Sequence, residues 1–144
     1  MSSDFASTAI SPTTVKGCLV VPLPADLAGE LEPLRELVLD GVRNQRAHTV
    51  VLDFAALQLI DSTEFATVRE ILHMAALLGA RSVMAGLRPG VVAYLVWNDV
   101  DTQGLTFMRD LDEALSMVFL QSDQGLLQGE PDVEANTTDT SFCP

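Results

Sequence analysis

Short apolar runs alternate with amphipathic stretches through most of the chain, and each run has the length of one β-strand. The predicted strands are residues 18–23, 49–54, 82–86 and 105–108. The second run (Thr-Val-Val-Leu-Asp-Phe) is apolar without alternation, which is typical of a central strand that is covered on both faces. Pro22 and Pro24 close the first run. That strand is therefore expected near an edge of the sheet, where a missing N–H donor is tolerated.

Between these runs, apolar residues recur at helical spacing. The clearest stripe contains Leu27, Leu31, Leu34, Val38 and Val42. Pro33 fits a helix only in the first turn, so this helix is predicted to begin close to it. Three more helices are predicted. The first runs from after residue 61 to near Gly79, the second from Pro89 to a stop at Asn98, and the third over residues 111–119. Strands separated by single helices pair in parallel through right-handed crossovers, so the predicted fold class is α/β.

Two further expectations concern the ends of the predicted elements. Residues 8–10 are a candidate for a short edge strand that precedes the first apolar run. Trp97, the single tryptophan, ends the third predicted helix. Its helical spacing from Ala93 favours a place in the core, and an interface is the alternative.

Length and charge bound the possible functions. The 144 residues fit one domain, and an apolar content of 48% is enough for a core. Eight Lys and Arg residues against 20 Asp and Glu residues give a net charge of −12, so nucleic acid and anionic membranes are not expected partners. Residues 121–144 carry acids but no Lys or Arg and are expected to be a disordered tail. With a flexible N-terminus at 1–9, the folded domain is expected at 10–120.

The sequence contains no recognisable targeting signal or membrane span. Residues 1–10 lack the basic and apolar regions of a signal peptide, and no apolar run approaches the roughly 20 residues that a span needs. Cys18 and Cys143 are too few for a disulfide framework and do not have the spacing of metal ligands. We therefore expect a soluble protein of the cytoplasm.

Motifs for catalysis or cofactor binding are also missing. No glycine-rich phosphate loop and no GxSxG motif occurs, and His48 and His73 stand alone. Asp53, near the end of the central strand, has the place of a receiver-domain phosphoacceptor, but the required acidic pair and late lysine are lacking, since Lys16 is the only lysine. We expect no enzymatic activity, no cofactor and no metal. A small ligand-binding α/β domain with an unrecognised site is an alternative.

The strongest candidate site is the start of the second helix, residues 59–65 (Leu-Ile-Asp-Ser-Thr-Glu-Phe). Asp61 and Glu64 have the spacing of a capping box, and Ser62 is the alternative N-cap. One interpretation is that these residues only begin the helix. The other is that the Ser62 hydroxyl accepts a phosphate, because the positive end of a helix tolerates an anion. A phosphate adds about −1.5 to −2 charge beside two acids and acts on partners without unfolding the domain.

Several segments together resemble STAS domains, the sulfate-transporter and anti-sigma-factor-antagonist family. They are residues 16–20 (Lys-Gly-Cys-Leu-Val), 50–54 (Val-Val-Leu-Asp-Phe), the Asp61-Ser62 pair, 77–80 (Leu-Leu-Gly-Ala) and 86–89 (Gly-Leu-Arg-Pro). The likeness covers about residues 10–120 and is closest to the small single-domain scaffold antagonists of bacterial stressosomes. It implies a STAS fold, which is a mostly parallel mixed β-sheet flanked by about four helices.

The resemblance also implies a non-enzymatic scaffold that is switched by phosphorylation. In such proteins the serine after the aspartate is phosphorylated by a serine/threonine switch kinase, which the unphosphorylated scaffold sequesters. This role carries over to Ser62, with Asp61, Thr63 and Glu64 as the adjoining partner surface. Related proteins carry a second phosphorylated threonine where this chain has Tyr94, so a second switch there is not expected.

The partners that the resemblance implies are all proteins. They are larger STAS paralogues with sensor domains, the switch kinase, a phosphatase and further copies of the chain. A free-standing antagonist that binds an anti-sigma kinase directly is the alternative within the same family. The two differ in size, because only the scaffold would form a large complex with its paralogues.

Overall fold

The computed structural model describes residues 10–129, and the side chains as far as residue 120. The chain divides after Ala114 into a compact domain and a separate unit that contains the rest of the last helix. No described helix is both long and apolar enough to cross a lipid bilayer.

The described residues contain five strands and four helices. In chain order they are β1 (Thr13–Val15), β2 (Cys18–Pro22), α1 (Leu31–Arg43), β3 (Thr49–Asp53), α2 (Ser62–Leu77), β4 (Arg81–Ala85), α3 (Pro89–Trp97), β5 (Phe107–Met108) and α4 (Leu111–Gly129). The strands form one sheet in chain order. β1 and β2 are antiparallel and the other three pairings are parallel. The predicted α/β class and mostly parallel mixed sheet are confirmed.

The central strands are buried on both faces. The strand register aligns Val20, Val51 and Val83 on one face, and Val21, Leu52 and Met84 on the other. All six side chains are buried. α1 and α2 pack against each other, α1 also contacts β2 and β3, and α2 contacts β4. Burial on two faces explains why these strands appear in the sequence as continuous apolar runs.

The apolar stripe of α1 lies where the spacing predicts. Leu34, Val38 and Val42 are buried, and Pro33 lies within the first turn of the helix. A proline is tolerated there because the first N–H groups of a helix have no partner within it. Leu27 precedes the helix and is fully buried.

The N-terminal edge of the sheet differs from the prediction. The edge strand is β1, which forms a hairpin with β2, and Ile10 is buried but belongs to no strand. Residues 8 and 9 lie outside the described residues. The two turn residues, Lys16 and Gly17, both have positive φ angles of 51° and 79°. This is a type I′ turn, whose usual Asn-Gly signal is here Lys-Gly. The hairpin makes β2 the second strand of the sheet, next to the edge strand, which agrees with its expected place near an edge.

The expected core position of Trp97 is wrong, because this side chain is 87% exposed. The core side of α3 consists of Val91 and Leu95, four residues apart. Trp97 follows Leu95 by two residues and so lies on another side of the helix. The alternative, an interface position, stays a prediction.

The last helix is longer than predicted. α4 continues past Phe119 to Gly129, into the segment that was expected to be a disordered tail. Residues 120–129 contain no proline and include several Leu and Gln residues, which are good helix formers. The rest of the expected tail, residues 130–144, and the expected flexible segment 1–9 lie outside the described residues.

Candidate functional site

A capping box begins α2. Asp61 is the N-cap, and its Oδ1 accepts a hydrogen bond from the Glu64 N–H at 2.7 Å. In return, Glu64 Oε1 accepts from the Asp61 N–H at 3.1 Å. Of the two caps that the spacing allowed, the structure uses Asp61. Ser62 is therefore the first helical residue, and its side chain is not needed to begin the helix.

Ser62 and Thr63 are both exposed at the positive end of α2. A hydroxyl at this place is open to an enzyme in solution. The first N–H groups of the helix and its dipole favour a negative charge there. The side-chain hydroxyl of Thr67 donates to the Thr63 carbonyl oxygen at 3.1 Å, one turn into the helix.

The structure brings Tyr94 against the same helix terminus. The Ser62 N–H donates to Tyr94 Oη at 3.1 Å, although the residues are 32 positions apart in the chain. Tyr94 is half-buried on α3. Pro89 occupies the start of α3, and Arg88 before it donates from Nε to the Ala55 carbonyl oxygen at 2.9 Å. The position that the family resemblance associates with a second switch is thus in direct contact with Ser62.

Asp53 shapes the loop that leads from β3 towards α2. Its Oδ1 accepts from the Ala55 N–H at 3.0 Å. Gly86 lies beside it with a φ of +77°, and a Cβ at that position would stand 3.3 Å from Asp53 Oδ1. Within the described residues, no group of three or more His, Cys, Asp or Glu side chains is placed to hold a metal ion. The observed contacts give Asp53 a structural role in this turn.

A groove of about 480 Å³ lies between the start of α2 and the side of α3 that carries Gly90, Val91 and Tyr94. Asp26, Asp61 and Glu64 contribute carboxylates to its wall. Among the described residues that line it, none is Lys or Arg. Leu59 and Tyr94 add apolar surface, and Leu59 is 72% exposed. The groove has the character of a surface for a cationic or apolar side chain rather than for an anion.

The remaining sequence candidates lie elsewhere. His48 is exposed and its Nδ1 is 3.1 Å from Thr49 Oγ1, while His73 is exposed on α2. Cys18 is fully buried in β2, and this burial raises the pKa of its thiol. Cys143 lies outside the described residues. Sequence reasoning missed the groove and the contact between Ser62 and Tyr94, because both depend on how segments that are distant in the chain pack together.

Comparison with known families agrees with this geometry. A family model for the STAS domain matches residues 9–114. The chain is a member of the STAS-domain family. The predicted STAS fold is confirmed, and the groove and the start of α2 lie within the matched residues. No curated protein gives a significant sequence match.

Solved STAS structures have the same fold. RsbS from Moorella thermoacetica, in a variant with serine replaced by glutamate, is 22% identical with a TM-score of 0.69, covering 81% of this chain and 99% of that one. A chain of the stressosome, described as a signal integration and transduction hub, is 23% identical with a TM-score of 0.66, covering 78% and 98%. The phosphorylated form of the Bacillus cell fate determinant SpoIIAA is 15% identical with a TM-score of 0.58, covering 76% and 99%.

Proposed function

We propose that this STAS domain is a non-enzymatic interaction module whose affinity for a serine/threonine switch kinase is controlled by phosphorylation of Ser62. The observation that carries the proposal is an exposed serine at the first position of a helix that Asp61 caps. A phosphate on Ser62 changes the charge of the surface and removes no contact on which the fold depends. The unphosphorylated chain sequesters the kinase, and the phosphorylated chain releases it.

The charges around Ser62 make the switch effective. A phosphate adds about −1.5 to −2 charge beside Asp61 and Glu64. Unit charges about 7 Å apart in a partly solvated interface repel by ~1–2 kcal/mol per pair. Two or three such pairs with a partner's acids weaken binding by about 10²-fold, which corresponds to ~2.8 kcal/mol.

The proposed setting is a stressosome-type complex in the cytoplasm, in which this chain co-assembles with larger STAS paralogues that carry sensor domains. The likeness to RsbS and to the stressosome chain supports this setting. The likeness to SpoIIAA, which is described as an anti-sigma factor antagonist, supports the second candidate, an antagonist that binds an anti-sigma kinase directly. Mass photometry of the chain mixed with STAS paralogues separates the two. A very large co-assembly supports the scaffold, and a monomer or dimer in every mixture supports the antagonist.

Phosphosite mapping tests the central claim. The full chain is incubated with ATP and a serine/threonine switch kinase, and the products are mapped by mass spectrometry. We expect one phosphate on Ser62, none in Ser62→Ala, and unchanged incorporation in the matched control Thr63→Ala. Calorimetry then compares kinase binding by the unmodified chain, Ser62→Ala and the phosphoprotein. The phosphoprotein is expected to bind about 10²-fold more weakly than the other two. Equal affinity of all three, or a phosphate on another residue, would show the proposal to be wrong.

A further inference from the structure

The outer side of α3 is an exposed apolar surface. Val92, Val96 and Trp97 are 43%, 69% and 87% exposed, and Ala93 between them is also exposed. No residue from Pro89 to Trp97 carries a charge. Isolated exposed apolar side chains are ordinary, but a contiguous group that includes a nearly uncovered tryptophan is typical of a protein-binding surface. We call these four residues the α3 face.

The α3 face continues into the acidic groove. Gly90 and Tyr94 line that groove, and Trp97 lies seven residues after the first and three after the second. Residues at these separations share one side of a helix. A ligand that covers Trp97 therefore also reaches the groove wall. Asp26, Asp61 and Glu64 supply the negative charge there.

We infer that the α3 face and the groove together bind an amphipathic helix whose apolar stripe is flanked by Lys or Arg. The apolar stripe would cover Val92, Val96 and Trp97, and the basic side chains would reach the carboxylates of the groove. Charge complementarity selects this partner, because no Lys or Arg is among the described residues lining the groove. A second copy of this chain fits less well, since each copy carries a net charge of −12 and copies repel one another.

This inference goes beyond the phosphorylation switch and does not require it. Ser62 is not among the residues of the α3 face, and the surface exists whether or not the serine is modified. A Ser62→Ala chain is therefore expected to bind such a helix as the unmodified chain does. A negative result in the kinase experiment would therefore not contradict the inference about this surface. A negative result in the peptide experiment would likewise not contradict the phosphorylation of Ser62.

The single tryptophan makes the test direct. The full-length chain is titrated with a tryptophan-free synthetic amphipathic helix of Leu and Lys, and the emission of Trp97 is recorded. In the free protein, emission is expected to be that of a hydrated indole. Binding is expected to shift it to shorter wavelength, and added salt is expected to weaken the binding. A matched helix of Leu and Glu is expected to give no shift.

Matched variants separate this surface from general charge attraction. Val96→Asp keeps the tryptophan and is expected to weaken binding at least about tenfold. Asp26→Asn keeps the Oδ1 that accepts from the Ala28 N–H at 3.0 Å, removes one groove charge and is expected to weaken binding severalfold. Glu36→Gln, an exposed change on α1, is the control and is expected to bind normally.

Four outcomes would overturn the inference. The first is an equal response to the Lys and Glu helices, and the second is no loss of binding in Val96→Asp. The third is a blue shift that grows with protein concentration without peptide, which would assign the face to a second copy. The fourth is an emission that is already blue-shifted at every concentration, which would mean that another segment of the chain covers Trp97.

Discussion

The backbone N–H of Ser62 donates a hydrogen bond to the phenol oxygen of Tyr94, 3.1 Å away. This bond joins the first residue of α2 to the middle of α3, and the two helices are separated in the chain by β4 and its loops. It also occupies one of the N–H groups that a helix leaves unpaired at its start. The position of α3 and the environment of Ser62 are therefore physically linked.

Removing the Tyr94 hydroxyl is expected to loosen this link. Tyr94→Phe keeps the ring and deletes the acceptor, so the free energy of unfolding should fall by about 0.5–1.5 kcal/mol, the usual value of one such bond. Urea unfolding measures the loss, and hydrogen exchange should show reduced protection of the Ser62 amide. Unchanged protection of that amide would contradict the assigned bond.

The capping box predicts different losses of stability for alanine substitutions at two neighbouring residues. Asp61→Ala removes the acceptor of the Glu64 N–H and should destabilise the domain by about 1 kcal/mol. Ser62→Ala removes an exposed hydroxyl that caps nothing and should change stability by no more than about 0.5 kcal/mol. Thermal and urea unfolding of both variants check this. A larger loss in Ser62→Ala than in Asp61→Ala would mean that the cap is wrongly assigned.

Two glycines beside the site should respond differently to alanine. Gly86 has a φ of +77°, and a Cβ there would stand 3.3 Å from Asp53 Oδ1 and 3.4 Å from the Ala55 nitrogen. Gly86→Ala is expected to destabilise the domain by about 1–3 kcal/mol. A Cβ at Gly90, in α3, would have no atom within 4 Å, so Gly90→Ala is expected to stabilise the domain by up to about 1 kcal/mol. Unfolding curves of the two variants, measured side by side, test both predictions. Equal stability of the two variants would contradict them.

The buried thiol of Cys18 should be protected and should make stability depend on pH. Burial raises its pKa above the ordinary value of 9.0, so the folded chain disfavours the thiolate. The resulting stability is complete below the ordinary pKa and is lost as pH rises through the raised folded pKa.

In a Cys143→Ser background, we expect slow alkylation of Cys18 in the native state and rapid alkylation in urea. The fall in stability at alkaline pH should be smaller in Cys18→Ala, and rapid native alkylation would contradict the burial.

Most of the domain could be predicted from local pattern. β3 appears as an uninterrupted apolar run because both of its faces are covered, and the stripe of α1 repeats at helical spacing because one side is buried. Pro33 and Pro89 mark the first turns of two helices, since proline is tolerated there. The spacing of Asp61 and Glu64 predicts a capping box at the start of α2 but leaves Ser62 as an alternative N-cap, and the structure shows that Asp61 is the cap.

The features that pattern could not supply depend on distant residues or on unusual local choices. The contact of Tyr94 with Ser62 joins two helices, α3 and α2, which are far apart in the chain and come together only in the folded domain. The β1–β2 hairpin was missed because its turn is Lys16-Gly17 and lacks the common Asn-Gly signal. The expectation of a core position for Trp97 rests on its helical spacing from Ala93, and Ala93 is itself exposed. The exposure of Trp97 became clear only with the position of Leu95.

The strands at both edges of the sheet are short. β1 has three residues, all exposed, and β5 has two. Long unpaired strands invite other chains to add to a sheet by main-chain hydrogen bonding, and brief outer strands offer little template for such growth. The brevity of both outer strands therefore discourages uncontrolled fibre-like stacking of this domain through the edges of its sheet.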